Sequence, residues 1–436
     1  MFIIGKTRAG KGLNIGANLL RFPYPAVTND IKQEHWHLTA GFREKGLGGK
    51  SFLFDPCGNG HRFDPLEGKE TEFDLQSAAT TLLFRSKEGE SQIFTDSAIT
   101  MLTQIFLAAR LEGHRPLPFT RKIIDEGLIG AATILEIISQ KHHYSPNLAT
   151  RFLDVDFANA DFKDKFLRSC WGTVTRRINR ILTKESVRCF TGSDFTAKDI
   201  ITSGKHPISV FLCWPEKDLL SLSPLIQLIW DSLINGMIDA YDTVNGEGCF
   251  PVLLVLDEIF RTGMPKLPEY STTVCGRNIS ILATAQSKSQ LDAAYGKFKA
   301  DEFLGQMDTA IFHRPAKLDN ATANFIEEAL GYTSGFAHSK NEYESGTSSG
   351  ESETKIPLMP GHEIKMIGNE EILAFRSDFW PFRVKRLDWR KFPELEKRAN
   401  IKPPNIPILP AIPVKPEFAY TGLQVQKSMP ITLYSS

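Results

Sequence analysis

The sequence predicts an α/β fold with a mostly parallel sheet, into which an all-helical segment is inserted. Three observations support this prediction. Short apolar runs alternate with helical patterns in residues 1–70, helical patterns alone fill residues 71–190, and the alternation returns in residues 191–395. Strands that alternate with helices favour a parallel sheet covered by helices on both faces. We expect a fourth, proline-rich segment over residues 396–436.

The first segment reads as three strands separated by helices. FIIG at residues 2–5 is an apolar run stopped by glycine, which fits a buried strand. GKTRAGKG follows, and LNIGANLL then begins a helix. The runs AVTNDI and KSFLFDP predict two further strands, with HLTAGFREKG as a helix between them.

The second segment reads as helices throughout. In FTDSAITMLTQIFLAAR the apolar residues recur at steps of three and four, which places them on one helix face. These residues are Phe94, Ala98, Met101, Leu102, Ile105, Phe106 and Ala109. FTRKIIDEGLIGAATILEIISQ and DKFLRSCWGTVTRRINRILT have the same character.

The third segment restores the strand–helix alternation. ISVFLCW (208–214), PVLLVLDE (251–258), SILATAQ (280–286) and TAIFHR (309–314) predict strands. SPLIQLIWDSLINGMIDAYD predicts a long helix with its first serine as the N-cap.

Two polar or proline-rich stretches predict extended chain. Residues 338–355 are rich in Ser, Gly and Glu, so we expect a mobile loop there. Residues 402–416 hold six prolines, which predicts a polyproline-like tail lying on another surface or on a neighbouring subunit.

Composition excludes several classes of protein. Lys+Arg and Asp+Glu are both 51, so any basic track for nucleic acid must be local. The six cysteines form no CxxC pair, which suits a reducing compartment and argues against a zinc ribbon. The pair His35 and His37 has no companion ligands at metal spacing, and we interpret it as structural. No apolar run approaches the roughly 18 residues of a membrane span, and no signal peptide is present.

GKTRAGKG fits the phosphate-binding pattern G-x-x-x-x-G-K from Gly5 to Lys11. It follows a predicted strand and precedes a predicted helix, where backbone N–H groups and the helix N-terminus would surround the phosphates of ATP. Lys11 would reach the β- and γ-phosphates. The residues expected to bind the nucleotide are Gly5, Thr7, Arg8, Ala9, Gly10, Lys11 and Gly12. Gly12 lacks the hydroxyl that usually ligates Mg²⁺, so the metal must rely on water, the phosphates and a distant acid.

PVLLVLDE supplies that acid at the carboxyl end of a strand, which is the ligand-binding edge of a parallel sheet. Asp257 would hold Mg²⁺, and Glu258 would act as a general base on the attacking water. Gln286 ends the next strand and would hydrogen-bond the γ-phosphate or its water. Arg277 lies just ahead of that strand. In ring ATPases an arginine from a neighbouring subunit can reach the γ-phosphate and stabilise charge in the transition state, and Arg277 is a candidate for that role. Each of these residues also has an ordinary reading as a solvated strand-end or loop residue.

These pieces, in this order, resemble the TraG/TraD family of type IV secretion coupling proteins. The resemblance covers roughly residues 1–395 and includes motifs beyond the ATP site. They are GKTRAGKG, NDIKQEHWHLTAGFREKG, LFDPCGNGHRFDPLEG, VLLVLDEIFRTGMPKLPEY, GRNISILATAQSKSQLDAAYG and IPLMPGHEIKMIGNEEILAFRSDFWPFRVKRLDW.

The resemblance implies a RecA-like P-loop ATPase domain, formed by residues 1–70 and 191–395, with residues 71–190 as an inserted all-α domain for substrate recognition. It implies ATP and Mg²⁺ as cofactors and assigns Lys11, Asp257, Glu258 and Gln286 to the ATPase site. Arg277 stands where the family is thought to place its arginine finger. The implied activity is ATP hydrolysis that delivers substrates, a relaxase–DNA complex or effector proteins, to the type IV secretion channel.

Family members are thought to work as homo-hexamers at the cytoplasmic face of the bacterial inner membrane. They usually begin with a membrane anchor, and this chain begins directly at the P-loop strand. We therefore expect this chain to be the cytosolic motor part, soluble by itself, of a protein whose anchor is missing here.

Two other hypotheses remain open from the residues alone. One is a DNA translocase of the FtsK/HerA kind, which shares the core but not the long helical insertion. The other is a substrate-docking receptor with weak hydrolysis, which Gly12 and the zero net charge would suit. The run RVKR is a candidate for direct contact with DNA phosphates through Arg383, Lys385 and Arg386, although a solvated strand edge also explains it.

Overall fold

The structure is a computed structural model, and it describes residues 1–83, 92–262, 264, 266–343 and 346–410. Within these residues nine strands form one sheet and two form a separate hairpin. The strands of the large sheet are β1 (Phe2–Ile4), β2 (Ala26–Asn29), β3 (Lys50–Phe54), β4 (Ile208–Leu212), β5 (Val252–Leu256), β6 (Ile279–Ala285), β7 (Thr309–His313), β10 (Glu371–Arg376) and β11 (Phe379–Lys385); β8 (Tyr332–Tyr343) and β9 (Gly346–Pro357) form the hairpin.

The large sheet has the strand order β11-β10-β7-β1-β6-β5-β2-β4-β3. All pairs from β7 to β3 are parallel, and β10 pairs antiparallel with both β7 and β11. The strands β1, β2, β4 and β5 are fully buried, and β1 and β5 are wholly apolar, as a parallel sheet covered by helices on both faces requires. The predicted α/β class with a mostly parallel sheet is confirmed.

Seventeen α-helices occupy the described residues. They are α1 (Lys11–Leu19), α2 (Glu34–Gly41), α3 (Glu72–Leu83), α4 (Gln92–Leu111), α5 (Pro116–Asp125), α6 (Gly127–Lys141), α7 (Leu148–Leu153), α8 (Lys165–Ile181), α9 (Ala197–Thr202), α10 (Leu219–Thr243), α11 (Ile259–Thr262), α12 (Leu267–Thr273), α13 (Lys288–Tyr295), α14 (Lys297–Gly305), α15 (Asn320–Leu330), α16 (Gly361–Ile364) and α17 (Pro393–Ala399). None of these helices is both long and apolar enough to cross a membrane.

The helices α3 to α9 all lie between β3 and β4 in the chain. Helix α4 is central to them, since it contacts α3, α5, α6, α7 and α8. Its predicted apolar face is buried, with Leu102, Ile105 and Phe106 fully enclosed and Phe94 partly so. The apolar run after residue 118 forms two helices rather than one, because Gly127 has a positive φ of 72° at the junction of α5 and α6.

Two local predictions are wrong. Helix α10 begins at Leu219, ahead of the serine expected to cap it, because Leu219 and Leu222 are buried and extend the helix backwards. A mobile loop was expected over residues 338–355, but residues 338–343 and 346–355 belong to the β8–β9 hairpin, which pairs from Tyr332↔Pro357 to Tyr343↔Gly346. A polar composition is compatible with this hairpin because the ladder bonds join backbone groups.

The described part of the proline-rich segment lies on its own chain. The carbonyl of Ile401 passes over Gly41 so closely that a Cβ there would be 2.0 Å from it. Further along, Arg188 Nη1 donates to the Leu409 carbonyl at 3.1 Å. Residues 411–436, which include the rest of the predicted polyproline tail, are outside the described residues.

Candidate nucleotide-binding site

The carboxyl ends of three neighbouring strands bring the predicted motifs together. β6 lies between β1 and β5 in the sheet, and all three strands run in the same direction. Gly5 follows β1, Gln286 follows β6 and Asp257 follows β5. The Gly5 amide donates to the Ala285 carbonyl at 3.1 Å, so the loop starts in register with the neighbouring strand.

The loop from Gly5 to Gly12, which we call the P-loop, needs its first two glycines. Gly10 has φ 103°, a left-handed conformation, and a Cβ there would lie 2.5 Å from Arg386 Nη1. A Cβ on Gly5 would lie 2.7 Å from the His313 Cβ. The loop is therefore walled on its outer side by residues from the second half of the chain. Helix α1 begins at Lys11, so the positive end of its dipole lies at the loop. No acidic residue in its first turn neutralises that end.

Lys11 is buried, and its side chain folds back onto the start of the P-loop. Its Nζ donates to the Gly5 carbonyl at 2.6 Å and, more weakly, to the Lys6 carbonyl at 3.4 Å. Burial lowers the pKa of Lys11, and the negative charges of Asp257 and Glu258 oppose that shift. The amine thus lies in the electrostatic field of both acids that end β5.

Gly12 differs from the other two glycines. It is exposed, its φ is not positive, and a Cβ on it would meet no atom within 4 Å. Thr7 and Arg8 are also exposed, with Arg8 at φ 64°. The loop therefore offers backbone groups and Lys11 to a ligand, and position 12 has space for a larger side chain.

Asp257 is held by three neighbours. Its Oδ1 accepts from Thr284 Oγ1 at 2.7 Å, its Oδ2 lies 3.3 Å from His35 Nε2, and its carbonyl accepts from Asn29 Nδ2 at 2.5 Å. Burial alone would raise the pKa of Asp257, but the His35 and Thr284 hydrogen bonds and the charges of His35 and Lys11 outweigh it and lower the pKa. The carboxylate is therefore ionised, as a metal ligand must be.

His35 is the residue of this cluster whose contact with Asp257 the sequence did not suggest, since the pattern favoured a structural or surface role over a metal site. It is 4% exposed and belongs to a cleft of about 60 Å³ lined by Asp30, Ile31, Lys32, Glu34, His35, Asp257 and Glu258. Burial lowers the pKa of His35, but the bond to Asp257 and the charges of Asp30, Asp257 and Glu34 raise it to about 9. The available signal was positional, because His35 follows β2 and β2 is the strand next to β5.

Within the described residues, no three His, Cys, Asp or Glu side chains converge at metal-binding distances. A site for Mg²⁺ here would thus draw one protein ligand from Asp257 and the remainder from water and phosphate oxygens. Mg²⁺ commonly keeps several waters and takes one or two carboxylates plus substrate phosphates, so the ionised Asp257 beside the P-loop fits such a site.

Glu258 lies next to Asp257 in a strained conformation. Its φ is 48°, and its amide donates to Thr284 Oγ1 at 3.2 Å. Its carboxylate accepts from Arg261 Nη1 at 2.7 Å, and Arg261 Nη2 also donates to Glu216 at 2.6 Å. The predicted general base is therefore already engaged in an ion pair in this conformation.

Gln286 and Arg277 lie at opposite ends of β6. Gln286 is at the same edge of the sheet as the P-loop, where its backbone N–H donates to Gln290 Oε1 at 2.9 Å. Arg277 precedes the strand, and the seven residues of β6 separate it from that edge by roughly 20 Å. Its guanidinium forms two bonds to the Asp242 carboxylate, both at 2.8 Å. The chain thus brings Lys11, Asp257, Glu258 and Gln286 to one edge, and it does not bring Arg277 there.

The sequence did not suggest that His313 and Arg386 lie against the P-loop, beside Gly5 and Gly10. His313 ends β7, the other neighbour of β1, and its Nε2 lies 3.1 Å from Asn14 Nδ2. Burial and the nearby charges of Arg386 and Lys11 lower the pKa of His313 to about 4, so it is neutral. Arg386, which the sequence offers as either part of a DNA-contacting run or part of a solvated strand edge, donates from Nη1 to the Ala9 carbonyl at 2.6 Å.

Residues 1–405 match the family described as type IV secretory system conjugative DNA transfer. Among curated proteins, the chain is 25% identical over 326 residues to the conjugal transfer protein TraG of Escherichia coli, covering 68% of this chain and 50% of that protein. It is 25% identical over 348 residues to the protein VirD4 of Rhizobium radiobacter, covering 76% of this chain and 47% of that protein. The chain thus spans about half the length of the curated relatives it matches.

Solved structures of the bacterial conjugative coupling protein TrwB share the fold. The unbound form of TrwBdeltaN70 aligns with a TM-score of 0.65 at 16% identity, covering 88% of this chain and 84% of that one. TrwB in complex with ADP and Mg²⁺ aligns with a TM-score of 0.63 at 16% identity, covering 89% and 85%. The RecA-like P-loop architecture implied by the sequence resemblance is therefore confirmed.

Proposed function

We propose that this chain, which belongs to the type IV secretory system conjugative DNA transfer family, is the ATP-hydrolysing motor of a coupling protein. Its relative TraG is named a conjugal transfer protein, and its structural neighbour TrwB is named a conjugative coupling protein. The observation that supports the motor is the assembly of Lys11, Asp257, Glu258 and Gln286 at one edge of the sheet, beside a P-loop.

In this proposal the backbone N–H groups of Gly5–Gly12 and the N-terminus of α1 hold the phosphates of ATP. Lys11 shares its amine between the loop carbonyls and the β- and γ-phosphates. Mg²⁺, when bound, would neutralise charge on the phosphates, with Asp257 as its protein ligand. TrwB, with the same fold, was crystallised with ADP and Mg²⁺.

Glu258 is the proposed general base for the attacking water. To act as a base it must exchange its bond to Arg261 for a bond to that water, since a carboxylate paired with a guanidinium is a poor proton acceptor. Gln286 donates or accepts at the γ-phosphate or at the water. Thr284 Oγ1 contacts both the Asp257 carboxylate and the Glu258 amide, so it holds the two acids in a fixed relation.

We extend the proposal to partners. The motor works as a homo-hexamer at the cytoplasmic face of the inner membrane and passes relaxase–DNA complexes or effector proteins to type IV secretion channel components. Arg277 acts as an arginine finger on a neighbouring copy, because its own P-loop edge is roughly 20 Å away along β6.

Two substitutions test the motor. We expect Lys11→Ala and Glu258→Gln each to abolish ATP hydrolysis and substrate transfer in cells, while binding of the substrate to the protein survives. Lys6→Ala is the matched control, because Lys6 lies on the same loop and only its carbonyl contacts Lys11. Transfer that continues in both Lys11→Ala and Glu258→Gln would refute the motor.

A substrate-docking receptor with weak hydrolysis is the second candidate. The Glu258–Arg261 ion pair favours it, as it occupies the predicted base. Measuring the hydrolysis rate against protein concentration, with and without single- and double-stranded DNA, separates the two. A steep rise with concentration and with DNA length supports the motor on nucleoprotein cargo, and a low, flat rate under all conditions supports the receptor.

A further inference from the structure

Arg386 follows the edge strand β11 and turns back onto the P-loop. Its Nη1 donates to the Ala9 carbonyl at 2.6 Å, across 377 residues of sequence. The guanidinium also covers Gly10, where an added Cβ would lie within 2.9 Å of its Cζ, Cδ and Nη1. One cationic side chain from the end of the core thus contacts two residues of the predicted phosphate-binding loop.

Arg386 has no counter-ion in this part of the molecule. Among the described residues no carboxylate lies within ion-pair distance of its guanidinium, and its Nε is buried without a hydrogen-bond partner. Its basic neighbours differ: Arg383 pairs with Glu371, and Arg390 pairs with Asp388. A half-buried charge with a buried unused donor is costly unless a partner of opposite charge is supplied.

The guanidinium of Arg386 contacts the loop at Ala9 and Gly10. The guanidinium acts on His313, which lies under Gly5, in the same direction as Lys11 does. Arg386 and Lys11 therefore reach the same small region from two sides, and a dense anionic group in that region would pair with both.

We propose that Arg386 is a second phosphate-binding cation of the nucleotide site, supplied by the same chain as Lys11, and that it does not contact DNA. The unused N–H donors of a guanidinium suit phosphate oxygens, which accept fork-like hydrogen bonds. This inference rests on the proposed function, because it assumes that the P-loop binds a nucleotide.

The test compares Arg386→Gln with wild type, using ADP and inorganic pyrophosphate as probes in calorimetry. Glutamine keeps an amide donor for the Ala9 carbonyl and removes the charge. We expect Arg386→Gln to weaken both probes by about 10- to 100-fold, as the loss of one charge-assisted phosphate contact requires. Arg383→Gln, a control three residues earlier at an arginine that pairs with Glu371, should bind both probes like wild type.

Salt dependence separates a phosphate contact from mere support of the loop. We expect the affinity of wild type for pyrophosphate to fall more steeply with salt than that of Arg386→Gln, and Arg386→Lys to recover part of the affinity and of the salt dependence. Equal losses in Arg386→Lys and Arg386→Gln with unchanged salt dependence would overturn the inference.

The same measurements distinguish this inference from the function on which it rests. Wild-type protein that binds neither probe would refute the proposed function and the inference together. Wild-type protein that binds both, with Arg386→Gln binding equally well, would refute the inference alone.

Discussion

Gly12 is a position where the P-loop has room for a side chain. Serine at position 12 would place a hydroxyl where many nucleotide sites hold Mg²⁺, without a clash and without a positive φ. We predict that Gly12→Ser folds normally and lowers the Mg²⁺ concentration for half-maximal hydrolysis by about 5- to 10-fold, as one added metal ligand would do.

Gly10→Ser is the contrasting variant, since φ is 103° there and the new Cβ would meet Arg386. We expect it to lose nucleotide binding. A magnesium titration of hydrolysis that is identical for Gly12→Ser and wild type would show that position 12 lies away from the metal.

His313 predicts a particular sensitivity to acid. Its pKa is about 4 in the folded chain, because burial and the charges of Arg386 and Lys11 disfavour its protonation. In the unfolded chain it is about 6.5, so the unfolded state binds a proton first as pH falls. The contribution of neutral His313 to the free energy of unfolding is fully present above pH 6.5. It is lost as pH falls towards 4, by up to about 3 kcal/mol.

We predict that His313→Asn removes this part of the acid sensitivity while keeping an acceptor for Asn14. Urea unfolding of both proteins at pH 7.5, 6 and 4.5 measures it. The free energy of unfolding of wild type should fall more steeply than that of the variant, and parallel curves would contradict the assignment.

Some residues of the site were predictable from linear motifs, and others were not. Lys11, Asp257 and Gln286 were found because each belongs to a linear pattern of strand followed by polar residue. Thr284 lies within β6, the strand that Gln286 follows, whereas His35 follows β2 and Arg386 follows β11. The positions of His35 and Arg386 beside the site depend on the strand order of the sheet. Strand order is a property of long-range pairing, and no short stretch of sequence contains it.

At the scale of elements, the buried Arg43 joins three pieces of the core. It is fully enclosed, and its Nη1 donates to the carbonyls of Leu19 and Phe22, both at 3.0 Å. Its Nε and Nη2 contact Ser209 and the Tyr24 carbonyl. The end of α1, the chain entering β2 and the strand β4 are thus tied by one guanidinium, whose pKa burial lowers to about 10.

We predict that Arg43→Leu destabilises the fold by about 3–5 kcal/mol, because it strands several buried carbonyls without donors. Thermal unfolding would show this as a large drop in Tm. Arg21→Leu is the control, since Arg21 is exposed at the end of α1 and should change stability little. A Tm for Arg43→Leu close to that of Arg21→Leu would show that the bonds contribute nothing net.

Secondary structure was predictable where burial and composition agree. The apolar strands β4 and β5 and the face of α4 follow directly from their patterns. The β8–β9 hairpin was not predicted because the composition of residues 338–355 is typical of a loop, and its strands are recognised by their backbone pairing.

At the scale of the whole molecule, Arg277 predicts dependence on a neighbour. Because Arg277 lies at the far end of β6 from the P-loop, the arginine-finger role that we propose would place it at the active site of another copy. We predict that Arg277→Ala and Lys11→Ala are each inactive alone and that mixing them restores part of the hydrolysis rate. Some sites in a mixed assembly would combine an intact Lys11 with a neighbour's intact Arg277.

The control is a mixture of Lys11→Ala with Glu258→Gln, whose defects lie at the same edge of the same chain and should not complement. An Arg277→Ala protein with a normal rate by itself would contradict the assignment, as would mixtures that stay inactive.

The central position of β1 has a consequence for how the protein is made. Phe2 pairs with Ala283 on one side and with Ala310 on the other, so both partners of β1 are translated after more than half of the chain. At about 5–20 residues per second, this first strand waits on the order of tens of seconds for its neighbours. During that interval β1 is an apolar segment that lacks both of its native strand partners. The ATP site is thus among the last features to form during synthesis, and Arg386, later still in the chain, arrives after both neighbours of β1.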